Sequence, residues 1–135
     1  MITALLDTHA LIWLGNGDRR YGASARRFTD EVFAAEGLGV SVISFWEAAL
    51  LHRRGRAVLP EPPLAWRERV LRNGIAEVPL DGATAILAEM IEQFHADPAD
   101  RFIVATCISL GAILLTADDK ILSWPGNLNR LDVRR

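Results

Sequence analysis

"LLDTHALIW", Leu5 to Trp13, sets one carboxylate, Asp7, at a seam between two apolar runs. The run before it, Ile2–Leu6, reads as a short buried strand. The run after it, Thr8–Leu14, has a helical pattern and stops at "GNG", Gly15–Gly17. A strand that passes into a helix through one polar residue is the repeating unit of a parallel α/β sheet. The alternation continues outward. Ser24–Ala35 is a helix with Ser24 as its cap. "LGVSVIS", Leu38–Ser44, is a strand by its β-branched content, and it runs into the helix "SFWEAALLHRRG", closed by Gly55.

Beyond the "PEPP" break at Pro60–Pro63, the pattern gives a helix at Leu64–Arg72, a strand at Ile75–Leu80 and a helix at Gly82–Phe94. Asp97 and Pro98 announce a helix that Gly111 ends. "AILLT", Ala112–Thr116, is a strand, and Leu128–Val133 adds a last short one. Short apolar strands between helices imply a central, mostly parallel sheet with both faces covered. No repeat, low-complexity tract or linker divides the chain, so residues 1–135 are expected to form one domain.

Composition excludes several classes. Half of the residues are apolar, 24% are charged and the formal net charge is −2, an ordinary globular balance. No window approaches the ~20 uninterrupted apolar residues of a membrane span. The first residues lack the basic segment and apolar core of a secretory leader. The single cysteine, Cys107, excludes an intrachain disulfide, and with these features the expected compartment is the cytoplasm. Lys120 is the only lysine, so arginine supplies nearly all the positive charge. Its planar fork suits phosphate and carboxylate, yet a slightly acidic chain contacts nucleic acid only through local patches.

In such a sheet, ligands gather beyond the carboxyl ends of the strands, at the switch in strand order. Asp7 ends the first strand. Glu47 lies one turn into the helix after the second, Asp100 in the first turn of the "DPADR" helix, and Asp118 two residues past "AILLT". Simpler readings compete for three of them. Asp7 can cap its helix, Asp97 can cap the helix bearing Asp100, and Asp118 or Asp119 can start a terminal turn, with acids in a first turn favoured by about 0.3–1 kcal/mol. Capping does not explain Glu47, whose neighbours at helical spacing are Ile43, Leu50 and Leu51. A carboxylate on an apolar face needs an arginine or a shared cation. Four clustered carboxylates repel by about 4 kcal/mol per pair at ~4 Å and an effective dielectric near 20. They persist together only when protonated or neutralised. With oxygen ligands and no Cys/His set at zinc spacing, the expected cation is Mg²⁺, with Mn²⁺ as a substitute.

Four blocks, "LLDTHALIW", "SVISFWEAALLHRRGR", "HADPADRFIVATC" and "ILLTADDKI", together resemble a PIN domain, and more specifically the VapC toxins of bacterial type II toxin–antitoxin pairs. The resemblance spans nearly the whole chain in order. It implies a PIN-like three-layer α/β/α sandwich and a metal-dependent endoribonuclease. The family's four acids fall on Asp7, Glu47, Asp100 and Asp118, and its small hydroxyl on Thr116, which would orient a carboxylate or water. Asp97 is read as cap and outer support. In this reading Asp7 and Asp100 hold the ion most directly, and Glu47 and Asp118 bind through water or a second ion. A metal-activated water would then hydrolyse RNA. The implied partners are an RNA substrate, a cognate antitoxin protein that inhibits the site, and a second copy in a homodimer; no membrane is implied.

The remaining motif residues have expected roles of their own. Arg53, Arg54 and Arg56 of "HRRGR" are candidate phosphate contacts, equally explained as cations at a helix C-terminus. Arg101 is expected in an ion pair or against a cluster carboxylate. His9 and His95 are expected to pack or support, and Trp13 and Trp46 to lie in the core, with base stacking as the lesser alternative for the two tryptophans. Two other functions stay open at this level: a catalytically inactive PIN-like module that binds RNA or protein, and phosphoryl transfer on an aspartate as in receiver domains. The second is disfavoured because Lys120 comes two residues after Asp118 instead of following a late strand of its own.

Overall fold

The computed structural model describes residues 1–135. Five strands form one sheet: β1 (Ala4–Leu6), β2 (Leu38–Ser41), β3 (Ala76–Val78), β4 (Ile113–Thr116) and β5 (Arg130–Asp132). Every pairing is parallel, including that of the last strand, and the order is β3-β2-β1-β4-β5. The helices are α1 (Thr8–Asn16), α2 (Ala23–Ala34), α3 (Val42–Arg53), α4 (Pro63–Arg72), α5 (Gly82–Met90), α6 (Pro98–Leu110) and α7 (Asp119–Leu122).

Strands of three or four residues make few ladder bonds, so burial on both faces has to hold them. Leu6, Leu38, Val40 and Leu115 face one way and pack with Leu11, Ala25, Trp66 and Val70 from α1, α2 and α4. Leu5 and Leu114 face the other way, against Ala88, Ile103, Cys107 and Ile121 from α5, α6 and α7. The result is three layers. Leu5, Leu6, Leu114 and Leu115 are fully buried, and each stabilises the fold by roughly 1.5–3 kcal/mol. No helix is long and apolar enough to cross a membrane.

The register levels the strand ends. Leu6 lies beside Val40 on one side and Leu115 on the other. The chain leaves β1 for β2 on one flank and returns to β4 on the opposite flank. The switch in order therefore falls between β1 and β4, directly below Asp7 and Thr116.

Several element boundaries differ from the sequence expectation; α2 starts at Ala23 with Gly22 in the cap position, so Ser24 lies inside the helix and does not cap it, and β3 and β5 are shorter than expected. β2 stops at Ser41, not Ser44, because the Ser41 hydroxyl accepts the Ile43 N–H at 3.1 Å and starts α3 there. Val42 and Ile43 are helical despite their β-branching. α5 stops at Met90, not Phe94. Ile91 is extended (φ −61°, ψ 125°) and Gln93 is left-handed at φ 57°. The cause lies on α6. The Arg101 guanidinium donates to the carbonyls of Ala88, Glu89, Ile91, Phe94 and His95 at 2.6–3.2 Å. Those five bonds use all of its N–H groups and mould the turn leading to Asp97. Arg101 is thus a backbone anchor; it makes neither the expected ion pair nor a contact with a cluster carboxylate. At its far end α6 closes on Gly111, whose φ of 64° is the left-handed cap that glycine adopts without strain.

Candidate active site

Asp7 caps α1: one carboxylate oxygen accepts the Ala10 N–H at 2.8 Å, and the other accepts the Thr116 hydroxyl. The side chain is 5% exposed. Burial pushes its pKa up to about 6, against the pull of the Thr116 and Ala10 hydrogen bonds. The Thr116 hydroxyl oxygen in turn accepts the Asp118 N–H at 3.0 Å. One buried hydroxyl therefore ties together the residue after β1 and the second residue after β4. Asp118 also caps α7, accepting the Lys120 N–H at 2.8 Å.

Glu47 reaches the same level from the second turn of α3. It meets no arginine. Its carboxylate accepts the Thr8 hydroxyl, which lies 3.1 Å from Ser44 Oγ. Asp100 stands in the first turn of α6, and its pKa is pushed up to about 8. Burial is the largest cause, followed by repulsion from Asp97, Asp118, Glu47 and Asp7. All the other predicted acids thus act on Asp100, the electrostatic signature of a common site.

His95 Nε2 is 3.1 Å from Asp100 Oδ2, and the ring packs on Phe94 at 4.4 Å between centroids. Nε2 is buried yet has no hydrogen-bond partner, so this close approach is off the angle of a directed bond. Asp97 is exposed and caps α6 through the Ala99 N–H at 3.0 Å.

Asp7, Glu47, Asp100 and Asp118 line one cavity of about 180 Å³, together with Thr8, His9 and Trp13. Two groups of donors lie within 4.8 Å of one another: Glu47, Asp97 and Asp100, and His95, Asp100 and Asp118. Opposite ligands of an octahedral ion with ~2.1 Å bonds stand ~4.2 Å apart, so these groups need to tighten by only tenths of an ångström around one ion. The donor set is hard oxygen with one imidazole at its edge, which fits Mg²⁺ or Mn²⁺ better than a thiolate-seeking metal. Capping and clustering coexist here. Asp118 offers one oxygen to a helix start and still joins a donor group, whereas Asp7 lines the cavity with both oxygens hydrogen-bonded and belongs to neither group.

The arginines of "HRRGR" are exposed. Arg56 lines a neighbouring cavity with His9 and Trp13, whereas Arg53 and Arg54 line neither it nor the acid cavity. Trp46 is 58% exposed, not in the core. Trp13 is half-buried, with the Arg20 guanidinium 4.4 Å from its ring centre. Sequence reading left Thr8 and Ser44 without a role. The available signal was their position, one residue after Asp7 and three before Glu47, but it named no partner. The strand order also departs from the 2-1-3-4-5 order of receiver domains, and Lys120 is exposed on α7.

Comparison with known proteins follows the same line. The PIN domain family model matches residues 4–125. Ribonuclease VapC22 of Mycobacterium tuberculosis is 33% identical over 125 residues, spanning 91% of this chain and 92% of that protein. A chain of the DNA-bound VapBC crystal structure from Salmonella typhimurium superposes with a TM-score of 0.73 at 19% identity, covering 98% of this chain and 99% of the other. VapBC2 from Rickettsia felis, bound to a fragment of promoter DNA, gives 0.70 at 16% identity, with 98% of both chains covered. At these identities the two structures speak for the fold alone.

Proposed function

The chain belongs to the PIN-domain family, and from that premise we propose that it is a Mg²⁺-dependent endoribonuclease, the toxin of a toxin–antitoxin pair. One observation carries this reading. Four carboxylates from four different elements converge on one small cavity at the switch point, and burial and mutual repulsion hold two of them well above the ordinary carboxylate range. Such a cluster has little structural use, and a divalent cation relieves it. The relative at 33% identity is a VapC ribonuclease by name, which supports both the chemistry and the toxin role, and the VapBC neighbours support the fold.

Asp7 and Asp100 are the residues to hold the cation directly, with Glu47 and Asp118 acting through water or a second ion; Mn²⁺ is the expected substitute. When bound, the cation polarises a phosphodiester and acidifies a nearby water. The chain's own residues do the positioning. Thr116 holds the Asp7 carboxylate and the Asp118 backbone at a fixed spacing, and Thr8 fixes the rotamer of Glu47. Asp97 starts α6 and so sets where Asp100 points. Exposed Arg53, Arg54 and Arg56 are the phosphate contacts of this reading. A cognate antitoxin would silence the enzyme by covering the acids, and two copies of the chain would pair as a homodimer in the cytoplasm.

The test is cleavage of single-stranded RNA by the purified chain, with Mg²⁺ and with EDTA. Asp7→Asn keeps the cap but removes the charge of a direct ligand, and should lower cleavage by more than the roughly tenfold to hundredfold that loss of a ligand's outer partner costs. Cleavage that survives both EDTA and this substitution would overturn the assignment and point to a contaminating nuclease.

A further inference from the structure

Beside the acid cavity lies a second one of about 400 Å³, within the ~300–1,000 Å³ of typical ligand clefts, and the two share His9 and Trp13 as a common wall. α1 forms one side and the loop after α3 forms the other. The loop is fixed by two bonds: Asn16 Nδ2 donates to the Val58 carbonyl at 2.9 Å, and the Arg56 N–H donates to the Leu51 carbonyl at 2.8 Å. Arg20 lies over the Trp13 ring at 4.4 Å and is held there by Asp18 at 2.6 Å. That pair holds the Asp18 carboxyl at about 2, well below its usual range, so the acid stays ionised and its charge is matched by Arg20. Arg56, exposed and free of any ion pair, borders the same space.

These groups form a pattern. A guanidinium lies over a ring, an unpaired arginine borders the same cavity, and an imidazole sits at the boundary with the acids. A flat heteroaromatic base stacks on arginine planes as it does on aromatic rings, and an unpaired arginine is suited to the phosphate that follows. An apolar peptide would find no continuous apolar wall here. We propose that this cavity is the subsite for the nucleotide adjoining the scissile phosphate, its base stacking on the Trp13–Arg20 layer and its phosphate meeting Arg56. The inference rests on the ribonuclease reading of the acid cavity and adds to it a place where a base is held.

Binding of a fluorescein-labelled single-stranded RNA 12-mer of mixed sequence, measured in EDTA so that no turnover occurs, tests the subsite. Arg56→Ala and Arg20→Ala should each weaken binding by roughly tenfold, the lower end of what one stacked base contributes. Arg72→Ala, the loss of an exposed arginine on α4, should weaken it less than about twofold, as expected of a distant screened charge. A second measurement uses RNA lacking one base beside the cleavage site. In Mg²⁺, this substrate should lose kcat/KM with the unaltered chain but not with Arg20→Ala. Equal losses in all three variants would overturn the subsite and leave a general electrostatic effect. So would a base deletion that acts alike on the unaltered chain and on Arg20→Ala. A chain that neither binds nor cleaves RNA would overturn the ribonuclease reading itself, a result distinct from cleavage that ignores Arg20 and Arg56.

Discussion

Metal-free protein should lose stability as the pH rises from 5 to 8, the reverse of ordinary acid denaturation. Asp7 titrates near 6 and Asp100 near 8 in the fold, against 3.8 for an unperturbed aspartate. Over this range the folded chain binds more protons than the unfolded one, so its stability falls with pH. The contribution is complete below pH 3.8 and is lost as the pH passes 6 for Asp7 and 8 for Asp100. At 1.36 kcal/mol per pH unit, full ionisation costs about 3 kcal/mol at Asp7 and about 6 kcal/mol at Asp100, upper bounds because each charge raises the other. On the acid side, Asp18, Glu77, Asp81 and Asp132 have lowered values and lose their contribution as the pH falls. The metal-free optimum should therefore lie near pH 5. Urea denaturation in EDTA at fixed ionic strength, at pH 5, 6, 7 and 8, measures the decline. Saturating Mg²⁺ should flatten it, because a cation replaces the protons. Asp100→Asn should gain on the unaltered chain by up to about 4 kcal/mol between pH 5 and pH 8 in EDTA, three pH units at about 1.36 kcal/mol each. Stability that stays level or rises from pH 5 to 8 without metal would refute the picture of crowded, buried carboxylates.

Three further outcomes follow from individual contacts. Thr116→Val keeps the shape of a fully buried side chain but removes the bond to Asp7 and the acceptor of the Asp118 N–H; the loss should be about 2–4 kcal/mol in urea denaturation. Metal affinity, read by calorimetry, should fall with it by roughly tenfold or more. Arg101→Lys keeps the charge but cannot reach five carbonyls at once, so amide exchange should accelerate across residues 88–97. Stability should fall by about 2–3 kcal/mol as buried carbonyls lose their partners. Trp66→Ala, which opens a space beside Phe45 in a side chain 2% exposed, should cost about 3–5 kcal/mol with Mg²⁺ affinity unchanged, separating core from site.

Local chemistry made much of the molecule legible. β1 and β4 were visible because strands covered on both faces are largely apolar, and their ends because polar residues interrupt each run, Asp7–His9 after β1 and Thr116 with Asp118–Lys120 at the end of β4. Asp7, Asp97 and Asp118 stood out as helix starts, and Glu47 as a carboxylate that no cap explains. The misplaced ends of β2 and α5 share one cause. Val42 and Ile43 favour a strand by themselves, but the Ser41 cap begins a helix at that point. The pattern after Met90 stays helical, but Arg101 takes the carbonyls that further turns would need. Trp46, expected in the core beside Glu47, instead faces outward from α3.

By itself, the chain of letters determined which residues carry charge at the ends of apolar runs, since backbone preference, capping and face alternation act over a few residues. Only the tertiary structure decided that those charges meet. It set Thr116 against Asp7 across 109 positions and Thr8 against Glu47 across 39, and placed Asp100 where four other acids raise its proton affinity. Electrostatic energy depends on separation in space and on excluded water, and both follow from which strands are neighbours in the sheet.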